Sequence, residues 1–316
     1  MSTTPRPLTV ALVQAGQMTS DIEDNLARLE QWIRAAAEGD VAPDLIVLPE
    51  LITTPYFCTS HEFDRSNWAA TIPGPTTDRF GSLAKELGCA IAFGMYERTA
   101  HDVFHNSVVV VDAGGEIVPW ATAEGGPVAA YRKLSIPANW VGDVDIDEKY
   151  FFAPGQAPVV LDILGTRIGC VICYDRSFPE YWAVARAMGA EVVLAVVSSL
   201  GTREDLFVAE LQTRAMESQT WVLATNRGGV EELDGTTVSY FGRSSVIDPT
   251  GKVVADARPH ATGDIVRFTI DLAAVTATRA AFPLGRDRRA DVMSLLARLT
   301  AGTEAVQPRP GASVAP

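Results

Sequence analysis

Three side chains of this 316-residue sequence form a chemically useful set: a thiol at Cys173, a carboxylate at Glu50 and an ammonium at Lys133. A thiolate attacks carbonyl carbon. A carboxylate partly removed from water has a raised pKa, so it can take up and return protons near neutral pH. A cation beside a carbonyl oxygen stabilises the negative charge that develops there, and one such donor is worth roughly 2.7–4 kcal/mol. The chemistry available to the set is nucleophilic displacement at a carbonyl.

Cys173 and Glu50 each sit at the end of an apolar run. Cys173 closes Gly169-Cys170-Val171-Ile172-Cys173-Tyr174-Asp175-Arg176, where a strand runs into a polar turn and a helix begins about five residues on. That position exposes a thiol on the loop side near the positive end of a helix dipole, and both effects favour thiolate. Taken alone, a cysteine is as readily a small buried hydrophobe, the reading that suits Cys170. A redox Cys-x-x-Cys opens a helix, whereas this pair lies largely within a strand. A zinc site needs two further ligands, and no second pair has metal spacing. Glu50 follows Leu45-Ile46-Val47-Leu48-Pro49, at a strand end where α/β sites gather. Lys133 stands in Tyr131-Arg132-Lys133-Leu134-Ser135-Ile136-Pro137. In isolation these two are an ordinary turn carboxylate and a surface lysine.

The elements that must position them alternate in type. Leu8–Ala15 reads as a buried strand. Ser20 starts a capping box with Glu23, and Ile22, Leu26, Leu29 and Ile33 then recur at helical spacing up to Gly39. After Leu45–Leu48, Thr76 or Thr77 caps a helix carrying Phe80, Leu83 and Leu87, stopped by Gly88. Ala90–Arg98 and Asn106–Asp112 follow as strands, and 123–158 reads as irregular. Arg167–Tyr174 is the nucleophile strand, and Ser177 caps a helix with Pro179 in its first turn. Further on, 191–197, 221–225, 244–248, 252–255 and 265–270 read as strands and 206–219 as a helix. Apolar strands without clean alternation need cover on both faces. Two packed sheets flanked by helices, a layered α/β sandwich, satisfy that need. Trp140, Trp182 and Trp221 are expected in the core. Asn226, in Asn226-Arg227-Gly228-Gly229 after a strand, either lines the mouth of a pocket or belongs to a tight turn. Arg286-Asp287-Arg288-Arg289 reads as a solvated charge run or an interface.

Composition narrows the function classes. The chain is 47% hydrophobic and 21% charged, ordinary for a globular protein, with a formal charge of -13. That charge argues against nucleic-acid partners and anionic membrane surfaces. The first residues lack a signal-peptide pattern and no run is long enough to span a bilayer, so a soluble, cytoplasmic protein with four reduced cysteines is expected. No repeat or linker is visible. One domain is expected over residues 1–295, with a flexible tail over 296–316.

Taken in order, Leu48-Pro49-Glu50, Tyr131-Arg132-Lys133 and Gly169-Cys170-Val171-Ile172-Cys173-Tyr174-Asp175, with Phe178-Pro179-Glu180 behind them, resemble the nitrilase superfamily of carbon–nitrogen hydrolases. The resemblance runs from about Leu8 to Leu272. It implies a four-layer αββα sandwich and a Glu50–Lys133–Cys173 site acting on a small amide or ureido substrate. Glu148, in Asp147-Glu148-Lys149-Tyr150-Phe151, takes the place of the family's second glutamate, and the backbone N–H of Tyr174 would join Lys133 at the oxyanion. No cofactor or metal is implied, and a homodimer or higher homo-oligomer is. Cys173-Tyr174-Asp175-Arg176 and Val141-Gly142-Asp143 look like the N-carbamoyl hydrolase branches. There an arginine three residues past the nucleophile can clamp a substrate carboxylate, a place held here by Arg176. The second arginine of the D-carbamoylase pattern is replaced by Ser177. A nitrilase acting on C≡N would share the same three residues. A papain-type Cys–His pair is disfavoured, because none of His61, His101, His105 and His260 sits in a strand-end motif, and an inactive scaffold would have no reason to keep all three reactive residues.

Overall fold

Strands that are apolar on both faces require a partner layer on each side. The computed structural model, which describes residues 4 and 6–301, supplies those layers as two stacked sheets with helices outside each. In chain order the strands begin β1 (Pro7–Gln14), β2 (Leu45–Val47), β3 (Ala90–Arg98), β4 (Phe104–Val111), β5 (Trp120–Ala121) and β6 (Pro127–Val128). They continue β7 (Tyr131–Arg132), β8 (Ala138–Val141), β9 (Val144–Asp147), β10 (Val160–Ile163), β11 (Thr166–Ile172) and β12 (Val192–Val196). The last are β13 (Trp221–Thr225), β14 (Gly228–Leu233), β15 (Thr236–Phe241), β16 (Ser245–Ile247), β17 (Val253–Asp256) and β18 (Asp264–Asp271). The helices are α1 (Ile22–Ala37), α2 (Pro75–Leu87), α3 (Glu148–Phe151), α4 (Pro179–Ala187), α5 (Glu204–Ser218), α6 (Ala273–Ala281) and α7 (Ala290–Thr300).

One sheet has the order β18-β1-β2-β3-β4-β7 and the other β17-β16-β13-β12-β11-β10-β5-β6. In each, a parallel core (β1-β2-β3, β11-β12-β13) is flanked by antiparallel strands. The two-residue period of a strand sorts the side chains between layers. Val10 and Leu12 of β1, with Val192, Leu194 and Val196 of β12, point into the core between the sheets. Ala11 and Val13 face the other way, onto α1 and α2, where Leu29, Ile33 and Phe80 meet them. Val193 and Ala195 face α4 and α5, against Trp182, Phe207 and Leu211. The result is the expected four-layer αββα sandwich, with Cys170 in the inter-sheet core.

Several local expectations need correction. Asp21, not Ser20, caps α1, its carboxylate accepting from Asp24 N–H at 3.0 Å. Helix α2 begins at Pro75, and Thr77 is its third residue, its hydroxyl accepting from Gly74 N–H. Ser177 does not cap α4. The chain is still in a 3-10 turn over Cys173–Ser177, so the helix starts at Pro179 with Phe178 before it. The stretch 123–158 is not irregular throughout, since it holds the β8–β9 hairpin and α3. Trp182 and Trp221 are core residues, but Trp140, on the β8–β9 hairpin, is 63% exposed. The β14–β15 hairpin went unanticipated, although Asp234-Gly235, with φ of 52° and 76°, is a standard two-residue turn signal. The boundary expected at 295/296 falls inside α7, while residues 302–316 of the expected tail lie outside the described residues. Among the described residues no helix is long and apolar enough to cross a membrane.

Candidate active site

The parallel strands of both sheets deliver their carboxyl ends to one region, as open α/β sheets do. Glu50 follows β2, Cys173 follows β11, Ser198 and Ser199 follow β12, and Asn226 and Arg227 follow β13. Two backbone positions there are unusual. Leu51, beside Glu50, has φ of 46°, and Cys173 has φ of 45°. Branched and sulfur side chains rarely adopt that left-handed region, and such strain persists only where surroundings impose it.

The charged groups converge. Lys133 Nζ donates to Glu50 Oε1 at 2.8 Å and to both oxygens of Glu148 at 2.8 and 2.7 Å. All three side chains are fully buried. Burial pulls the lysine pKa down, but the carboxylates of Glu148 and Glu50 outweigh it and hold the ammonium well above its ordinary pKa. Burial raises the Glu148 pKa against the pull of Lys133. Asn106 binds this group twice. Its side-chain amide donates to Glu50 Oε1 at 2.7 Å, and its carbonyl accepts from Lys133 N–H at 2.9 Å. The second oxygen of Glu50 is buried with no hydrogen-bond partner, an acceptor held in reserve at a site where unpaired buried oxygens are costly.

Cys173 is half-buried and opens onto a cavity of about 500 Å³ whose lining includes Tyr56, Glu148, Tyr174, Arg176 and Ser199. Burial and the Glu50 charge push its thiol up to about 11, against the opposing pull of Lys133 and Arg176. The expectation that a helix dipole would favour thiolate is therefore overturned: at neutral pH the resting group is a thiol, because desolvation next to a carboxylate outweighs the local cations. Asp175 ties the Cys173 turn to the lysine segment. Its carboxylate accepts from Ile172 N–H at 3.1 Å, Ser135 N–H at 2.7 Å and Tyr131 Oη–H at 2.9 Å.

The remaining expected site residues divide. Tyr174 lines the cavity with an exposed side chain. Arg176 also lines it, but its guanidinium is engaged: it donates to Cys173 O at 2.9 Å, pairs with Glu210 at 2.9 Å and lies over the Phe207 ring at 5.1 Å. Asn226 does not line the cavity. It is fully buried, accepts from Ser199 N–H at 2.8 Å and donates to Ser199 O and Gly242 O at 3.1 and 2.8 Å, so it braces the cavity wall from behind. Four contributors went unrecognised in the sequence: Tyr56, whose hydroxyl donates to Glu148 at 2.7 Å, Asn106, Asp175 and Arg227. Arg227, a cation directly after a strand-end asparagine, and Asp175, inside the Cys173 motif, stood in segments already singled out, whereas Tyr56 and Asn106 left no local signal.

The family model for carbon-nitrogen hydrolases matches residues 9–280. The citrullinase of Francisella tularensis subsp. tularensis is 31% identical over 299 residues, covering 92% of this chain and 98% of the relative. The N-carbamoylputrescine amidase of Solanum lycopersicum is 30% identical over 308 residues, covering 93% and 96%. Among solved structures, a carbon-nitrogen hydrolase from Helicobacter pylori G27 superposes with a TM-score of 0.79 at 23% identity, covering 92% of this chain and 98% of that one. The order of motifs, the four layers and these matches agree, and the chain belongs to the carbon-nitrogen hydrolase family of the nitrilase superfamily.

Proposed function

We propose that this enzyme hydrolyses the C–N bond of a small N-carbamoyl (ureido) compound or amide through a covalent intermediate on Cys173. The observation that carries the reading is the buried Glu50–Lys133–Glu148 cluster, joined at 2.7–2.8 Å, beside a cavity onto which a strained cysteine opens. The thiol is protonated at rest, so attack requires a base, and the unpartnered Glu50 oxygen is the acceptor for its proton. As the sulfur–carbon bond forms, the carbonyl π electrons move onto oxygen. Lys133 and the Tyr174 backbone N–H stabilise that oxyanion. The intermediate collapses, the C–N bond breaks, and Glu50, assisted by Glu148, returns the proton to the departing nitrogen. Water deprotonated by a glutamate then cleaves the thioester-type intermediate and frees the thiol.

The ureido preference is supported by the names of the two relatives, which act on citrulline and on N-carbamoylputrescine. A carboxylate clamp by Arg176 has less support, because that guanidinium already pairs with Glu210. We also read the enzyme as a homodimer, since α7 leaves Val292, Leu295, Leu296 and Leu299 exposed. The deciding experiment is turnover of N-carbamoyl compounds, simple amides and nitriles by the wild type and by Cys173→Ala. The ureido compounds should be turned over fastest, and the variant should lose at least about a thousandfold in kcat. Retained turnover in the variant would remove Cys173 from the mechanism. Faster release of ammonia from nitriles would move the enzyme to the nitrile branch.

A further inference from the structure

Arg227 is a fully buried cation that does not itself line the cavity, although its partner Ser198 does. Its guanidinium is nevertheless saturated. One terminal nitrogen donates to three main-chain carbonyls, those of Glu50 (3.1 Å), Leu51 (2.6 Å) and Thr54 (2.9 Å). The Nε–H donates to Ser198 Oγ at 2.9 Å, and that hydroxyl donates in turn to Glu50 O at 3.0 Å. The other terminal nitrogen meets Glu231 Oε1 at 2.7 Å. Three carbonyl dipoles aimed at one point repel each other unless a cation sits there. The backbone that presents them includes Leu51 at its strained φ of 46°.

Glu231 extends the same device to the second glutamate. Besides Arg227 it accepts from Met18 N–H at 3.0 Å, Tyr56 N–H at 3.2 Å and Tyr240 Oη–H at 3.1 Å. The Tyr56 main chain is thus anchored on Glu231 while its hydroxyl reaches Glu148 Oε1 at 2.7 Å. Burying an ion pair costs several kcal/mol of desolvation, and well-packed apolar residues often serve stability equally well. What apolar residues cannot do is gather three carbonyls and two backbone N–H groups into one geometry.

From this geometry we infer that the Arg227–Glu231 pair is a positioning device for both active-site glutamates, holding Glu50 through its main chain and Glu148 through Tyr56. It rests on the reading of Glu50 as the base for Cys173 and goes beyond it by assigning what aims that base. Sub-ångström misplacement of reacting groups can cost on the order of 10- to 100-fold in rate without altering binding. The loss should therefore fall on kcat and not on KM.

The test uses the full-length enzyme and two variants. Arg227→Lys keeps the charge but not the planar fork, and Ser198→Ala removes one link of the network with little change of volume. Each is measured for its thermal melt, for kcat and KM on the best N-carbamoyl substrate, and for the rate of Cys173 alkylation by iodoacetamide at neutral pH. The expected result is a cooperative melt, a kcat reduced about 10- to 100-fold for Arg227→Lys and severalfold for Ser198→Ala, KM within about twofold, and parallel slowing of alkylation. Wild-type kcat and alkylation in the folded variants overturn the proposal. So does a loss that merely tracks the unfolded fraction. If Arg227→Lys does not fold, Ser198→Ala decides by the same criteria. Failure of the underlying reading looks different: wild-type Cys173 would then show no selective alkylation at all.

Discussion

At the scale of single residues, the site is governed by which charges are allowed to stay charged. Lys133 keeps its proton because two carboxylates touch it, and Cys173 keeps its proton because burial and Glu50 oppose thiolate. Asp175 is the third case. Burial raises its pKa to about 6, although Ser135, Ile172 and Tyr131 donate to it and pull the other way. A carboxyl whose folded pKa lies above its unfolded value binds more protons in the native state between the two values. The stability it contributes is full below about 3.8 and is lost as pH rises through about 6. Asp175→Asn removes this titration. The wild type should therefore gain roughly 1 kcal/mol relative to the variant between pH 7 and pH 5. Urea unfolding of both proteins at the two pH values checks it, and a wild type that loses stability relative to the variant on acidification contradicts it.

At the scale of elements, the site depends on close approach of backbones. Strand β3 passes directly under the Glu50 turn. Gly94 N–H donates to Pro49 O at 3.2 Å, and Ile52 N–H to Gly94 O at 3.2 Å. A Cβ on Gly94 would stand 2.6 Å from Glu50 Cα and 2.6 Å from Pro49 O, with backbone on every side and no flexible side chain to yield. Gly94→Ala must therefore displace the Glu50 turn. Overpacking of this kind costs about 1–3 kcal/mol, and displacing Glu50, the proposed base, should lower kcat by at least about tenfold. Denaturant unfolding and steady-state kinetics read the two effects separately, and an alanine variant with wild-type kcat would contradict the first-order role of this contact.

At the scale of the whole molecule, α1, α2, α4 and α5 each bury apolar side chains against the sheets, yet α7 has none buried. Val292, Leu295, Leu296 and Leu299 are between 40% and 63% exposed. An apolar helix left uncovered on a protein with net charge -13 is a candidate contact surface. Replacing Leu296 and Leu299 together by Glu should convert a dimer to a monomer in light scattering while the core fold, built from β1 through α6, keeps its melt. A wild type that is monomeric at tens of micromolar would remove the dimer reading.

The local sequence was sufficient for whatever depends on periodicity and strand ends. The apolar runs at Leu8, Leu45, Arg167 and Glu191 announced doubly covered strands; Glu50 and Cys173 could be picked out because each ends such a run, and Lys133 because its Tyr131-Arg132-Lys133 motif falls between them in order. It was not sufficient for partners brought together by packing. Asn106 meets Glu50 across 56 residues and Arg227 meets Glu50 across 177, separations over which no local pattern operates. Nor could spacing decide the state of the Cys173 thiol, because a nearby helix end is visible in sequence whereas burial against a carboxylate is not. Residue types and their order set which chemistry is available. Tertiary structure decided which charges survive, because desolvation and charge pairing depend on distances that exist only once the sheets are stacked.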